Sequence, residues 1–283
     1  MEAGAHSAFV GFKYFVAAAQ HTAFSFPDSF VKKLFAIGPS PYSHTVVHTI
    51  SFPIWFLALS LAASNVCLAG SPNQLTDDER SAGWQLLFDG KTSAGWRGIG
   101  KSIFPADKWA VENGWLHALG KGGGDIISTN QFEQFELAWE WKLVEGGNSG
   151  VKYFVLEPRG PIGHEYQMLD DNKHPDGKLA EGKRLTAAFY DVLKTSAPTA
   201  LKAPGDINQS RILVKGNHVE HWLNGSKVLE YECGSAGVKA AVAASKFSKT
   251  AGFGERAKGH ILLQDHNDEV WFRSIRIRDL SKN

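Results

Sequence analysis

Between Phe135 and Leu143 the chain reads FELAWEWKL, and the two kinds of side chain alternate without a break. Phe135, Leu137, Trp139, Trp141 and Leu143 share one face; Glu136, Ala138, Glu140 and Lys142 share the other. A period of two is that of a strand with one face in a core. The stretch RILVKGNHVEHWLNGSKVLEY, residues 211–231, predicts three more strands. They turn at Gly216-Asn217 and at Asn224-Gly225, the second a strong hairpin dipeptide. GHILLQDH (259–266) and VWFRSIRIR (270–278) predict a further pair around a polar turn at Asn267-Asp268. In the last of these the apolar parity shifts between Phe272 and Ile275, which predicts a bulge. Helical signals are few. Thr76 with Glu79 makes a capping box ahead of Trp84, and a short helical period runs over Ala240 to Phe247. No internal repeat is present.

Many short strands joined by tight turns predict an all-β protein, a sandwich of two antiparallel sheets. A domain over residues 71–283 is large for an immunoglobulin-like module and suits a jelly roll. Nine tryptophans and 29 glycines agree with that class. The formal net charge of +1 gives no electrostatic case for nucleic acid or an anionic membrane surface. Cys67 and Cys233 fit neither a zinc nor a redox spacing.

Residues 1–70 differ from the rest. From Gly38 to Gln74 there is no Lys, Arg, Asp or Glu, and FPIWFLALSLAA within that span is short for a bilayer crossing. Small Ala69 follows, with Cys67 two positions before it. The pattern predicts an N-terminal extension with a signal peptide cut near Ala69, hence a periplasmic or secreted domain with no stable membrane span after processing. A retained N-terminal anchor is the competing expectation.

Candidate chemistry concentrates in GHEYQMLDDNKHPDG, residues 163–177. Read as a strand, it points Tyr166 and Met168 into the core and Glu165 and Gln167 away from it. HILLQDH does the same, with Ile261 and Leu263 inward and Gln264 and His266 outward. Asp170, Asp171 and His174 follow at the strand end. Asn148 and Ser149 stand between glycines in GGNSGVKYF. The bland reading is that these are the solvated faces of amphipathic strands and an ordinary turn. His218 and His221 read as structural or surface residues, and Asp125 as a turn. KGGG lacks the GK[ST] tail and following helix of a phosphate loop, so no nucleotide cofactor is expected.

Taken in order, LFDGKTSAGW, NSGVKYF, HEYQMLDDNKH, AAFYDVL and ILLQDHNDEVWFRSIRIR resemble the 3-keto-disaccharide hydrolase family, also described as a 3-keto-glucoside 1,2-lyase and 3-keto-2-hydroxy-glucal hydratase domain. The resemblance runs from Gly83 to Asp279. It departs at Asn267, where glycine is usual, and at Ser274, where asparagine is usual. It implies a concanavalin-like jelly roll acting on a small-molecule sugar already oxidised at C3 by a separate sugar 3-dehydrogenase. The ketone acidifies the C2 hydrogen, and loss of that proton expels the C1 oxygen; water can then add to the glycal. Such a site needs a base, an acid and something to hold charge on the ketone oxygen, a role a divalent metal ion can fill. The resemblance implies Glu165 and His266 as first choices for metal or substrate oxygen. Asp170, Asp171 and His174 are candidates for proton transfer, with Tyr190 as an acid and Asp191 beside it. Lys152 would offset enolate charge, and Asn148, Gln167 and Gln264 would bind sugar hydroxyls.

Two other functions compete. A non-catalytic carbohydrate-binding jelly roll would need an aromatic platform, for which Trp96, Trp109 and Trp115 are the candidates. An ordinary two-carboxylate glycosidase would need a second acid where Gln167 stands.

Overall fold

The computed structural model describes residues 71–281, so the expected signal peptide and its cut at Ala69 lie outside the described residues. After the short helix α1 (Asp77–Ser81) come β1 (Trp84–Leu86), β2 (Trp96–Gly98), β3 (Trp109–Glu112), β4 (Trp115–Leu119), β5 (Ile126–Phe132) and β6 (Phe135–Leu143). There follow β7 (Asn148–Val155), β8 (His164–Leu169), β9 (Asn208–Lys215), β10 (His218–Leu223) and β11 (Ser226–Glu232). The chain closes with α2 (Ala236–Ala243), β12 (Gly259–Leu263) and β13 (Glu269–Asp279). Two antiparallel sheets result. The larger runs β11-β10-β9-β6-β13-β4-β3 with β1 also on β13; the smaller runs β2-β5-β12-β7-β8. This is the all-β sandwich that the alternation predicts.

The local signals act as their chemistry requires. Thr76 and Glu79 form the reciprocal cap of α1. Asn224 and Gly225 both take left-handed backbone in the β10–β11 turn, the conformation for which an Asn-Gly pair is suited. β13 breaks register between Arg273 and Arg276, with Ser274 left-handed inside the break, so the parity shift is a bulge. The helix near residue 240 begins earlier and ends earlier than its periodicity predicts, because Ser235 caps it by accepting the Val238 N–H.

The apolar faces meet between the sheets. Trp139 of β6 meets Tyr166 of β8 edge to face at 5.0 Å, and both are fully buried. The Tyr166 hydroxyl crosses to the opposite sheet, 2.8 Å from Ser210 Oγ and 3.0 Å from the Trp222 carbonyl. Tyr166→Ala is therefore expected to cost about 3–5 kcal/mol, as truncation of buried rings does, measured by denaturant unfolding.

A polar chain threads the same core. The His221 Nδ1 faces the Ala187 carbonyl at 2.8 Å, so that nitrogen carries the proton and Nε2 accepts from the Tyr153 hydroxyl at 2.8 Å. The Tyr153 oxygen then accepts from Tyr231 (2.7 Å), and Tyr231 accepts from His164 Nδ1 (2.9 Å). Every proton has a place only while both imidazoles are neutral. Burial holds them so, lowering the His164 pKa to about 3 and that of His221 to about 4.

Candidate active site on the smaller sheet

The outward face of the smaller sheet is not a solvated face. All six side chains of β8 are buried, because the segments after Val155, around Tyr190 and after α2 fold over it. Beneath that cover lies a polar cavity of about 210 Å³. Glu165 and Gln167 of β8, Asn148 and Lys152 of β7, and Gln264 and His266 just beyond β12 line it together. Tyr190, Lys246 and Phe247 wall it from the side. The antiparallel register puts Lys152 directly opposite Glu165 and Gly150 opposite Gln167. Parity along β8 thus sends Tyr166 and Met168 into the core and Glu165 and Gln167 into the cavity.

Glu165 is held from two sides. Lys152 Nζ stands 3.6 Å from one carboxylate oxygen and donates to the Pro161 carbonyl at 3.2 Å. The Gln167 amide, in the orientation that satisfies both its ends, donates to Glu165 Oε1 (3.3 Å) and to the Ser149 carbonyl (3.1 Å). With the Asn148 amide turned the same way, its nitrogen donates to the Gln167 oxygen at 3.2 Å and its oxygen faces His174. Asn148 in turn lies 3.4 Å from His174 Nε2. The His174 Nδ1 accepts the Asp176 N–H at 3.1 Å, so a neutral ring carries its proton on Nε2. A hydrogen-bonded line thus runs from the His174 N–H through two amides to the Glu165 carboxylate. Gly150 leaves room for that carboxylate, since a Cβ there would sit 2.6 Å from Glu165 Oε1.

Other expected site residues stand elsewhere or act indirectly. Asp170 accepts the N–H groups of Gly146, Asn172 and Lys173, and so closes the turn after β8. Asp171 accepts from the Thr186 N–H and hydroxyl. Both carboxylates border a second, larger cavity of about 420 Å³ against Trp141, Leu143 and the loop 199–208. The smaller cavity is the better candidate for chemistry: its Glu165 accepts no backbone N–H, whereas Asp170 and Asp171 of the larger one are both spent on backbone N–H groups. Asp191 is left-handed at φ 63° and joins Arg184 Nε (2.7 Å) to the Lys246 N–H (2.8 Å) instead of facing the cavity. Tyr190 lines the cavity, but its hydroxyl donates to Asp176 at 2.7 Å. Burial and that carboxylate raise its pKa, so the phenol stays protonated.

The sequence reading missed Lys246 and Phe247, which lie far along the chain on a turn with no motif of their own. It also took Asp125 for a plain turn. Its carboxylate accepts the Asp265 N–H at 2.9 Å, and burial raises its pKa, with Glu165 and Asp265 adding to the rise and Lys152 opposing it. The aromatic platform does not form. Trp96 and Trp109 are buried in the core, their indoles bonded to the Leu87 and Gly124 carbonyls, and Trp115 lies under Lys142 and Arg273.

Imidazole and carboxylate ligand atoms come together at His174, His266 and Asp268, within 4.8 Å of one another, and His266 shares the cavity lining with Glu165. The composition suits a divalent cation. The tautomer does not: bound through either nitrogen, His174 would have to give up the Asp176 N–H. A second group, His218, Glu220 and Glu230 on the larger sheet, already holds the Lys227 ammonium.

Sandwich and cavity together define a jelly-roll protein whose smaller sheet carries a half-open polar site. Residues 83–278 match the 3-keto-alpha-glucoside-1,2-lyase-like domain, and the chain belongs to that family. A 3-keto-disaccharide hydrolase of Bacteroides thetaiotaomicron is 38% identical, the match covering 70% of this chain and 79% of that protein. A crystal structure of a candidate glycosyl hydrolase from Parabacteroides distasonis superposes with a TM-score of 0.68 at 31% identity, over 75% of this chain and all of that one. A second from the same organism gives 0.56 at 26% identity, over 70% of this chain and 99% of that one. Among the described residues no helix is long and apolar enough to cross a membrane.

Proposed function

We propose that this protein cleaves 3-keto-glycosides, 3-keto-disaccharides among them, by removing the C2 proton and expelling the C1 oxygen, with water adding afterwards to the glycal. The observation that carries the reading is the Glu165 carboxylate, buried in a sugar-sized polar cavity and oriented by Lys152 and Gln167. Glu165 serves as the base. The imidazole of His266 lines the cavity with that of His174 beside it, and between them they supply a proton to the leaving oxygen. Asn148 and Gln264 hydrogen-bond ring hydroxyls. Asp170 and Asp171 act on His174 through the turn they brace. The family match and the named relative support the substrate class. The elimination step rests on the chemistry of a ketone at C3. Such a substrate comes from a sugar 3-dehydrogenase.

Incubation with a disaccharide and with its 3-keto form tests this directly. Cleavage of the keto form alone is expected. Cleavage of the parent sugar at a similar rate would indicate an ordinary glycosidase, and cleavage of neither a binding protein.

A finer test uses Gly150. Gly150→Ala keeps a negative φ, so its backbone is unstrained, but the new methyl must push Glu165 aside. Turnover is expected to fall up to about 10²-fold, the effect of an ångström-scale misplacement, while the melting temperature barely moves. Export is part of the same proposal. N-terminal sequencing of secreted protein should begin near Gly70.

A further inference from the structure

Lys246 is the cavity cation that touches no carboxylate, although the charges of Glu165 and Asp191 reach it. Among the described residues its Nζ makes neither an ion pair nor a hydrogen bond; it lies 4.1 Å over the Tyr190 ring and 5.1 Å from that of Phe247. The side chain is exposed at the cavity mouth, but partial burial of its ammonium lowers its pKa. Its neighbour in the cavity, Lys152, is committed to Glu165 and the Pro161 carbonyl.

The position of Lys246 is built in. Its backbone N–H is held by Asp191 at 2.8 Å, and Asp191 is held by Arg184 at 2.7 Å. On the other side Phe247 stacks on Phe253, with centroids 4.1 Å apart and planes 15° apart. Arg184 also pairs with Asp176, which receives the Tyr190 hydroxyl. The Tyr190 ring and the Lys246 backbone thus hang from one ionic framework, and the ammonium rests on the ring face. An electron-rich ring stabilises an ammonium without neutralising it. The ammonium's donors remain available to a ligand.

We propose that Lys246 binds the oxyanion that forms on the C3 oxygen of the substrate, and is a further catalytic residue of the reaction proposed above. The step balances within the site. The C2–H bond breaks and its proton goes to the Glu165 carboxylate. The released electron pair forms the C2–C3 double bond and places negative charge on the C3 oxygen, opposite Lys246. As the C1–O bond breaks, the pair moves to C1–C2, the ketone is restored, and the leaving oxygen takes a proton from an imidazole. Charge on the C3 oxygen exists only between these events, so a cation placed there favours the transition state over the bound ketone.

The assignment rests on the keto-glycoside reading, and one experiment separates the two. Wild type, Lys246→Met and Lys246→Arg are compared on a 3-keto-disaccharide, with steady-state kinetics and with C2 deuterium exchange in D2O followed by NMR. Folding is checked by circular dichroism and melting temperature. For Lys246→Met we expect kcat to fall about 10²- to 10³-fold, KM to change only a few-fold, and C2 exchange to slow with kcat, as for loss of one oxyanion donor. Lys246→Arg should regain part of the loss, because it keeps the charge. If kcat holds and only KM rises, Lys246 is a binding residue and the proposal falls. An unchanged Met variant overturns it as well, and so does a Met variant whose C2 exchange keeps the wild-type rate. If wild type itself leaves the keto-disaccharide intact, the functional reading fails first and the oxyanion assignment goes with it.

Discussion

Glu165→Gln is expected to lower kcat/KM for a 3-keto-glycoside by about 10²- to 10⁴-fold, the range for loss of a general base. The amide is the same size and keeps contact with Gln167, but it cannot take the C2 proton. Stability should fall as well, because Lys152 is buried and would be left with only the Pro161 carbonyl. Adding Lys152→Met removes that stranded charge, and the double variant should recover melting temperature without recovering turnover. This pairing separates a chemical role from a structural one. A single variant that keeps wild-type kcat would remove Glu165 as the base.

The second large effect is on stability in acid. His164 and His221 have folded pKa values of about 3 and about 4, against about 6.5 in an unfolded chain. Depressed histidines stabilise the fold fully only above the unfolded value. As pH falls below 6.5 the unfolded state takes up protons that the native state refuses, and stability drains until the folded values are reached. At pH 4.5, two units below the unfolded value, each is worth roughly 2–3 kcal/mol, so the pair should remove about 5 kcal/mol. That is a large share of the usual 5–15 kcal/mol of a domain. Glu157, held at about 2 by Arg97, gives up its contribution only lower, as pH falls below its ordinary range toward 2. Urea unfolding at pH 7, 6, 5 and 4.5 measures the slope. A His221→Gln variant should show about half of it, and a flat profile in the wild type would mean that the imidazoles are not buried neutral.

The sandwich was legible because alternation reports directly on which face is wet. Phe135 to Leu143 and the hairpin at Asn224-Gly225 needed no tertiary information. Parity also separated Tyr166 from Glu165 correctly, since neighbouring residues of a strand must face opposite ways. It could not show that the outer face of β8 is covered, because the cover comes from residues near 160, 190 and 246. That is why Glu165 and Gln167 looked like a solvated face, and why Lys246 went unseen. Asp170, Asp171 and Asp191 show the opposite difficulty. Asp is as good at closing a turn as at catalysis, and only the N–H groups aimed at its oxygens tell which. Asn267 and Ser274, the two departures from the family pattern, both have left-handed backbone. Glycine and asparagine are the residues that tolerate it most readily, so these preferences are conformational.

β8 is the last strand of its sheet, and residues 187–190 run along its free side. Ala187 donates to the Gln167 carbonyl and Tyr190 to that of Glu165, while the Gln167 N–H reaches the Ala188 carbonyl. The segment that brings Tyr190 to the cavity therefore also occupies hydrogen-bonding groups that another chain could otherwise pair with. Whatever unhooks it, for instance losing the Asp191 tie to Arg184 and Lys246, does more than blunt catalysis. It uncovers a sticky edge, and the damaged protein should show up as self-associated material in light scattering even while its core stays folded.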